Sequence, residues 1–348
     1  MAPPADTTTV TSPVSAATVK AVGLAAGLDA VGVAPAEPFA STRADLHARK
    51  RDGLHGGMNF TYRNPDRSTD PARTVRGAAA LVVGARGYPP PGREHAGARV
   101  AAYATADHYT ALRASLGAIA DALEGAGWRA RVLVDDNALV DREAAYRAGL
   151  GWYGKNSNLL LPGRGSWFVL GSVVTDAALE IDEAPVADGC GACTRCMDHC
   201  PTGAIVAPGV VDARRCLAWL LQADGDFPIE HRVALGDRIY GCDDCQEVCP
   251  PNRRSTAAAS DPDDAAVDII ELLALDDETL MARHGRWYIA ARDPRFVRRN
   301  ALVVLGNTAA ADDERALATL ATYRSDPDDM LRRHAEWATT RVAERSAR

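Results

Sequence analysis

The sequence predicts an α+β multidomain protein, and three observations along its 348 residues predict it. Apolar residues follow alternating helical and strand periods over residues 15–180. All eight cysteines fall between Cys190 and Cys249. Beyond residue 268 only helical patterning remains. These imply a helix-on-sheet domain at 15–180, a cysteine-organised domain at 181–258 and a helical domain at 268–348.

The first 14 residues are rich in Ala, Pro, Thr and Ser and are expected to form a disordered tail. They lack the basic and apolar segments of a signal peptide and carry no twin arginine. No apolar run approaches the ~20 residues of a membrane span. A cytoplasmic protein with reduced thiols and no membrane attachment is expected; nothing in the sequence demands more than a monomer. A helix near 18–26 leads into a strand at 30–33. A second helix, 40–51, precedes a polar loop and a buried strand at 78–83. The clearest helix starts at the N-cap Asp107, carries Leu112, Leu116, Ile119 and Leu123 on one face, and stops at Gly125 and Gly127. A strand at 130–134 ends in Asp135-Asp136, and a short helix covers 140–148. Strand-like segments at 158–161 and 167–174 are joined by a Pro-Gly-Arg-Gly turn.

The cysteine spacing carries the chemistry. Cys190, Cys193, Cys196 and Cys200 precede Pro201 as C-x2-C-x2-C-x3-C-P, the bacterial ferredoxin run whose fourth cysteine crosses to the other cluster. Cys242, Cys245 and Cys249 precede Pro250 in the same pattern without its first cysteine, and Cys216 completes the count. One [4Fe-4S] cluster is then assigned Cys190, Cys193, Cys196 and Cys249. The other is assigned Cys200, Cys216, Cys242 and Cys245. Structural zinc is the competing reading, because CxxC pairs also build zinc ribbons, but those pair separate knuckles instead of a triple run ending in Cys-Pro.

Other signals weigh less. Gly149, Gly151 and Gly154 satisfy G-x-G-x-x-G, yet a helix precedes them and a strand follows, the reverse of a dinucleotide site. They are expected instead to let the backbone approach something closely. The eight histidines show no H-x-H or HExxH spacing. Asp135 and Asp136 stand at a strand end, where α/β sheets place ligands and where solvated acids are equally common. Net charge is −7, which excludes broad nucleic-acid coating. Residues 261–278 hold eight acids and no base, and residues 283–299 hold six arginines against Asp293 alone. Trp287, Tyr288 and Phe296 lie among those arginines. Such a run is ordinarily a solvated helix face, here neutralised by the acids before it; it also suits a phosphate backbone and unstacked bases.

A Pro/Asp/Ala-rich linker, 251–267, leads to the helical domain. There Asp293-Pro294 with Val297 to Ala301 recurs as Asp326-Pro327 with Leu331 to Ala335, a repeat of 33 to 34 residues suggesting stacked HEAT-type helical pairs.

Several motifs in fixed order carry a resemblance. They are Ala102-Tyr103-Ala104 leading to Asp107, Val134-Asp135, Asp141-Arg142, Arg147 to Gly151, Gly154-Lys155-Asn156, Cys190 to Gly203, Arg215-Cys216, and Tyr240 to Pro250. Together they make the chain similar to the epoxyqueuosine reductase family over nearly everything after the tail. The resemblance implies a nitroreductase-like, cobalamin-binding α/β domain, a ferredoxin-like two-[4Fe-4S] domain and HEAT-like α-helical repeats. It implies reduction of epoxyqueuosine to queuosine at the wobble position of tRNA, with an external electron donor feeding two clusters and then cobalamin. Asp135 is the implied proton donor, since an alkoxide leaves poorly unless protonated. Arg67, Asp135, Tyr153, Asn156, Leu159 and Leu170 are the implied corrinoid contacts; no D-x-H-x-x-G motif offers a lower axial histidine. Under this resemblance the arginine-rich run would join a surface for the anticodon stem-loop. Where the family often shows Asp-Tyr-His, this chain has Asp107-His108-Tyr109.

Two rivals remain at this level: another corrinoid and iron–sulfur reductase acting on a small molecule, and a non-catalytic electron-transfer module. Both keep the clusters. Metal analysis of protein purified without oxygen is expected to give about eight irons per chain and negligible zinc; about one zinc and no iron would remove the cluster assignment.

Overall fold

The computed structural model describes residues 14–90, 97–182, 186–253 and 266–346. Most of the expected N-terminal tail and of the 251–267 linker lie outside the described residues. The N-terminal sheet has four strands in the order Ala30–Pro35, Ala80–Gly87, Phe168–Thr175 and Ala130–Val134. Every pairing is antiparallel, with Val33 opposite Val82, and Val173 between Val82 and Val132. Helix and strand alternate as their periods require, but the strands are not joined by parallel crossovers, so the domain is α+β in its topology.

Both faces of this sheet are covered. On one, the Ala16–Ala25 and His108–Gly125 helices bury Val19, Leu112, Leu116, Ile119 and Leu123 against Val82 and Val173. Asp107 caps the second helix by accepting from the Thr110 amide at 3.0 Å. On the other face, the Asp141–Arg147 helix packs with Phe39, Leu81, Val83, Leu139 and Leu159. The segment expected as a strand at 158–161 does not join the main sheet. Its Leu159–Leu160 pairs with Trp152–Tyr153 in a separate hairpin. Gly151 is the residue that permits this: a Cβ there would lie 2.1 Å from the Leu160 carbonyl oxygen. The glycine motif therefore serves close backbone approach.

A three-residue strand, Ala98–Val100, leaves the N-terminal domain. It pairs in parallel with Arg238–Tyr240 and antiparallel with Ala266–Val267. Ala98, Val100 and Ala104 thereby enter a core shared with Leu217, Phe227, Ile239 and the C-terminal helices. Around the cysteines, the short helices Arg195–Asp198 and Asp244–Glu247 pack on each other, beside an Ile205–Ala207/Val210–Val211 hairpin.

The two copies of the repeat open the Arg295–Thr308 and Asp329–Ser346 helices, which lie along each other. Arg295 links their starts, donating to Asp293 Oδ2 at 2.5 Å and to Asp328 Oδ2 at 2.6 Å. The neighbouring arginines depart from a solvated face. Arg299 is fully buried and donates to the carbonyls of Leu220, Ala223 and Gly225, while Asn300 donates to that of Leu221. Desolvation lowers the Arg299 pKa to about 10. These bonds tie the helical domain to the turn that follows Cys216. Arg299→Ala would leave three buried carbonyls without a donor, each a loss of about 1 kcal/mol or more. It is expected to lower stability by about 3 kcal/mol, measured as the anaerobic thermal midpoint of the cluster-loaded protein.

Candidate cluster and catalytic site

The eight cysteines are free thiols, and the two short helices that carry Cys196 and Cys245 pack on each other. Burial raises Cys249 to about 11, and the next thiols acting on it are Cys190, Cys196 and Cys193. Burial likewise raises Cys242 to about 12, with Cys216 among its neighbours. Cys216 in turn feels Cys200, and Cys245 feels Cys242 and Cys216. Most of these electrostatic neighbours belong to the same set in the crossed ferredoxin pattern. Cys196 and Cys245 also interact across the groups, so the two sets are adjacent.

The donor chemistry fits iron–sulfur clusters: soft thiols in two sets of four. Among the described residues no group of His, Cys, Asp or Glu is arranged to hold a single metal ion. A zinc site would close all of its thiolates on one ion at about 2.3 Å. Thiolates around a cubane each bind a different iron and stand farther apart. Backbone amides reach the sulfurs too, as Ala204 N donates to Cys200 Sγ at 3.2 Å. The groups differ in surroundings. Gly191, Ala192, Thr194 and Arg195 are exposed, whereas Gly241, Asp243, Asp244 and Gln246 are buried. One set is peripheral and the other internal.

The internal set touches the N-terminal domain through the loop after Trp152–Tyr153. Asn156, buried, donates from Nδ2 to the Cys245 carbonyl at 3.3 Å. Lys155 donates to the Gly191 carbonyl at 2.7 Å, and its own carbonyl accepts from Gly209 N at 2.9 Å. Arg142 donates to the Ser157 carbonyl at 2.8 Å and lies within the field of Cys216.

From Arg142 the site continues to the acids. Asp135 follows the Ala130–Val134 edge strand with φ of 51°, a left-handed backbone in a non-glycine residue. Its loop is held on both sides: Asp136 accepts from Ala138 N at 2.8 Å, and Asn137 accepts from Thr61 N at 2.8 Å. Asp135 is open to solvent, yet the surrounding wall of protein raises its pKa; Arg113 opposes that rise and Asp136 adds to it. Asp141, at the start of its helix, is raised well above the usual range by burial and then by Asp135. Tyr109 is raised by burial and by both carboxylates. Tyr240, raised by burial, also feels Asp135. Acid and phenol side chains from four separate segments thus stand within one another's electrostatic reach. Tyr109 and Tyr240 have no spacing pattern that marks them, and Asp141 stands out only through the Asp141-Arg142 pair.

The residues implied as corrinoid contacts fall into two places. Asn156, Leu159 and Tyr153 sit on the loop just described, Tyr153 donating to Glu143 Oε2 at 3.3 Å. Leu170 packs in the same core cluster as Leu159. Arg67 is exposed on the Pro65–Ser68 helix, whose last carbonyl accepts from Val140 N at 3.0 Å beside the Asp135 loop. Ser157 Oγ, next to Asn156, is buried without a hydrogen-bond partner, as is His108 Nε2, next to Tyr109. Such groups fit a polar cofactor edge, since a buried hydroxyl or ring nitrogen is costly to leave unpaired.

The arginine-rich run is not one basic surface. Arg298 is buried against Asp277 at 2.5 Å, Arg283 pairs with Glu271 at 2.5 Å, and Trp287 is 3% exposed. The acids before the run do neutralise part of it. What remains outside is Arg286, Tyr288 and Arg292.

Comparison with known proteins adds to this geometry. The family described as a 4Fe-4S double cluster binding domain matches residues 189–252. Epoxyqueuosine reductase of Xanthomonas campestris pv. campestris is 34% identical, over 93% of this chain and 95% of that protein. A crystal structure of epoxyqueuosine reductase with an epoxyqueuosine-modified tRNA-Tyr stem loop superposes with a TM-score of 0.82 at 29% identity, covering 93% of this chain and 89% of that one. The Bacillus subtilis epoxyqueuosine reductase, solved with its catalytic aspartate loop swung out of the active site, superposes with a TM-score of 0.81 at 27% identity, covering 93% and 89%.

The grouping of thiols is testable one residue at a time. Cys249→Ala and Cys190→Ala are each expected to perturb the same cluster signal in low-temperature EPR, and Cys200→Ala the same one as Cys216→Ala. A Cys249→Ala spectrum resembling that of Cys242→Ala would reverse the crossing.

Proposed function

The chain belongs to the epoxyqueuosine reductase family, and from that premise we propose that it reduces epoxyqueuosine to queuosine in the tRNA anticodon loop. The observation that carries the reading is Asp135: an acid of raised pKa on a strained loop, beside side chains that the internal cysteine set also reaches. Epoxide removal consumes two electrons and two protons and releases the oxygen as water. Two [4Fe-4S] clusters and a bound cobalamin would supply the electrons and a strongly reducing cobalt.

The protein's own residues do the rest. The peripheral set, with exposed loops around it, suits an external electron donor; the internal set, under Asn156 and beside Arg142, suits delivery to the site. Tyr153, Asn156, Leu159, Leu170 and Arg67 would hold the corrinoid, with the Ser157 hydroxyl as a further donor. Asp135 donates a proton to the epoxide oxygen as its C–O bond breaks. Burial favours the neutral form of this acid, so more of it holds its proton near neutral pH. Asp141 supports this by placing a second carboxyl nearby, because two adjacent carboxylates resist ionising together. The Arg295–Thr308 and Asp329–Ser346 helices, repeated at their starts and packed along each other, support HEAT-like stacking.

A general acid must be protonated, so turnover should fall as pH rises through the raised Asp135 pKa. Asp135→Asn keeps the shape and loses the proton. Anaerobic protein loaded with cobalamin is expected to convert epoxyqueuosine tRNA, and Asp135→Asn to lose about 10²- to 10⁴-fold in rate with both clusters retained. Unchanged turnover, or an unchanged pH profile, would remove Asp135 from the role.

A further inference from the structure

We propose that residues 283–292 form a stacking rim beside Tyr240 and the Asp135 loop, in which the Tyr288 ring takes an unpaired nucleotide of the RNA loop and Arg286 its phosphate. This rests on the reading above and names the surface that would present the substrate.

The segment belongs in sequence to the helical domain but is fastened beside those residues. Arg286 Nη2 donates to the Thr105 carbonyl at 2.8 Å. Trp287 is buried and stacks on Tyr240, with ring centroids 4.7 Å apart and planes 9° from parallel. The Tyr288 amide donates to Tyr240 Oη at 2.7 Å. Tyr240 lies within the field of Asp135 and stands two residues before Cys242. Consecutive left-handed residues, Ala291 and Arg292, turn the segment back, and Arg292 closes it by donating to the Gly285 carbonyl.

On this braced segment Trp287 and Ile289 turn inward, at 3% and 6% exposure, while the Tyr288 ring between them is 53% exposed. Arg286 beside it is exposed and donates to a carbonyl, so among the described residues no ion pair neutralises it. Asp107, the acid in its field, is engaged as a helix cap by Thr110. A rigidly backed aromatic face next to an exposed guanidinium, beside the residues that neighbour Asp135, suits a single-stranded nucleotide. Every base offers a π-face for stacking, and the arginine meets its backbone. A double helix has no splayed base to offer this ring.

The test uses cluster-loaded protein and a synthetic anticodon stem-loop RNA, with a blunt duplex of equal charge as the control. Fluorescence anisotropy gives affinity, and turnover of the epoxyqueuosine-bearing stem-loop gives KM and kcat. Tyr288→Ala is expected to weaken stem-loop binding about tenfold, with the loss appearing in KM, and Tyr288→Phe to stay within about twofold of the native protein. Arg286→Gln is expected to reduce the slope of log affinity against log salt by about one. Intact cluster absorption in each variant separates these losses from misfolding. Native-like stem-loop binding by Tyr288→Ala, or equal losses for stem-loop and duplex, would overturn the stacking rim and leave the enzymatic reading standing. A native protein that neither binds nor converts the stem-loop would overturn both.

Discussion

The constraint on which the remainder of the structure depends is the crowding of eight thiols between Cys190 and Cys249, where the Arg195–Asp198 and Asp244–Glu247 helices pack on each other. Burial penalises the thiolate form and neighbouring negative groups add to the penalty, so Cys242 and Cys249 are pushed up to about 12 and 11. Iron–sulfur ligation would offset both effects, because metal binding favours the thiolate form. The surroundings are built accordingly. Asn156 reaches the Cys245 carbonyl, Ala102 N donates to Asp243 between two ligands at 2.7 Å, and Arg299 holds the turn after Cys216. Each of the other regions is fastened to the cluster shell by hydrogen bonds to its backbone or side chains.

This fastening explains the form of the site. It draws Asp135 from an edge strand, Tyr109 from a helix, Asp141 and Arg142 from a second helix, and Tyr240 from the strand leading into Cys242. No local interaction would bring these together. The short Ala98–Val100 strand does so by stitching the N-terminal domain into a sheet with residues on both sides of the second cysteine run. The left-handed backbone at Asp135 and Ser157 is affordable inside such a scaffold, where strain of about 1–3 kcal/mol per residue is held by surrounding bonds.

How much of this was legible in the sequence follows from the range of each interaction. The double-cluster domain was legible, because cluster ligation has a local spacing rule and the 4Fe-4S double cluster family matches residues 189–252. So were the 40–51 helix and the capped helix after Asp107, whose signals lie within one or two turns. Strand order was not: periodicity marks a strand without saying which neighbour it takes, and the antiparallel sheet emerged only in three dimensions. The Ala98–Val100 strand is too short to show any period. Arg298 and Arg299 misled in another way. Charge ordinarily means surface, but Arg299 is paired with carbonyls instead of acids, and carbonyl acceptors leave no mark in a sequence. Asp135 was visible through its strand end and its resemblance, whereas Tyr109 and Tyr240 became site residues only through tertiary contact.

The interleaving also bears on electron delivery. Transfer between centres weakens steeply with separation, so an internal cluster serves a catalytic site only if the gap between them stays fixed. Two rigid domains joined by a linker would not fix it. Here the site and the internal cysteine set share structural members: Tyr240 belongs to one and runs directly into the other, Arg142 lies in the field of both Asp135's neighbour Asp141 and of Cys216, and Asn156 bonds a ligand's own carbonyl. A displacement that widened the gap would have to break these contacts together. The peripheral set is tied to the same loop through Lys155, which donates to the Gly191 carbonyl at 2.7 Å, but keeps exposed residues around Cys190, Cys193 and Cys196. Rigidity is thus concentrated where distance governs the chemistry, and exposure where a separate donor must approach.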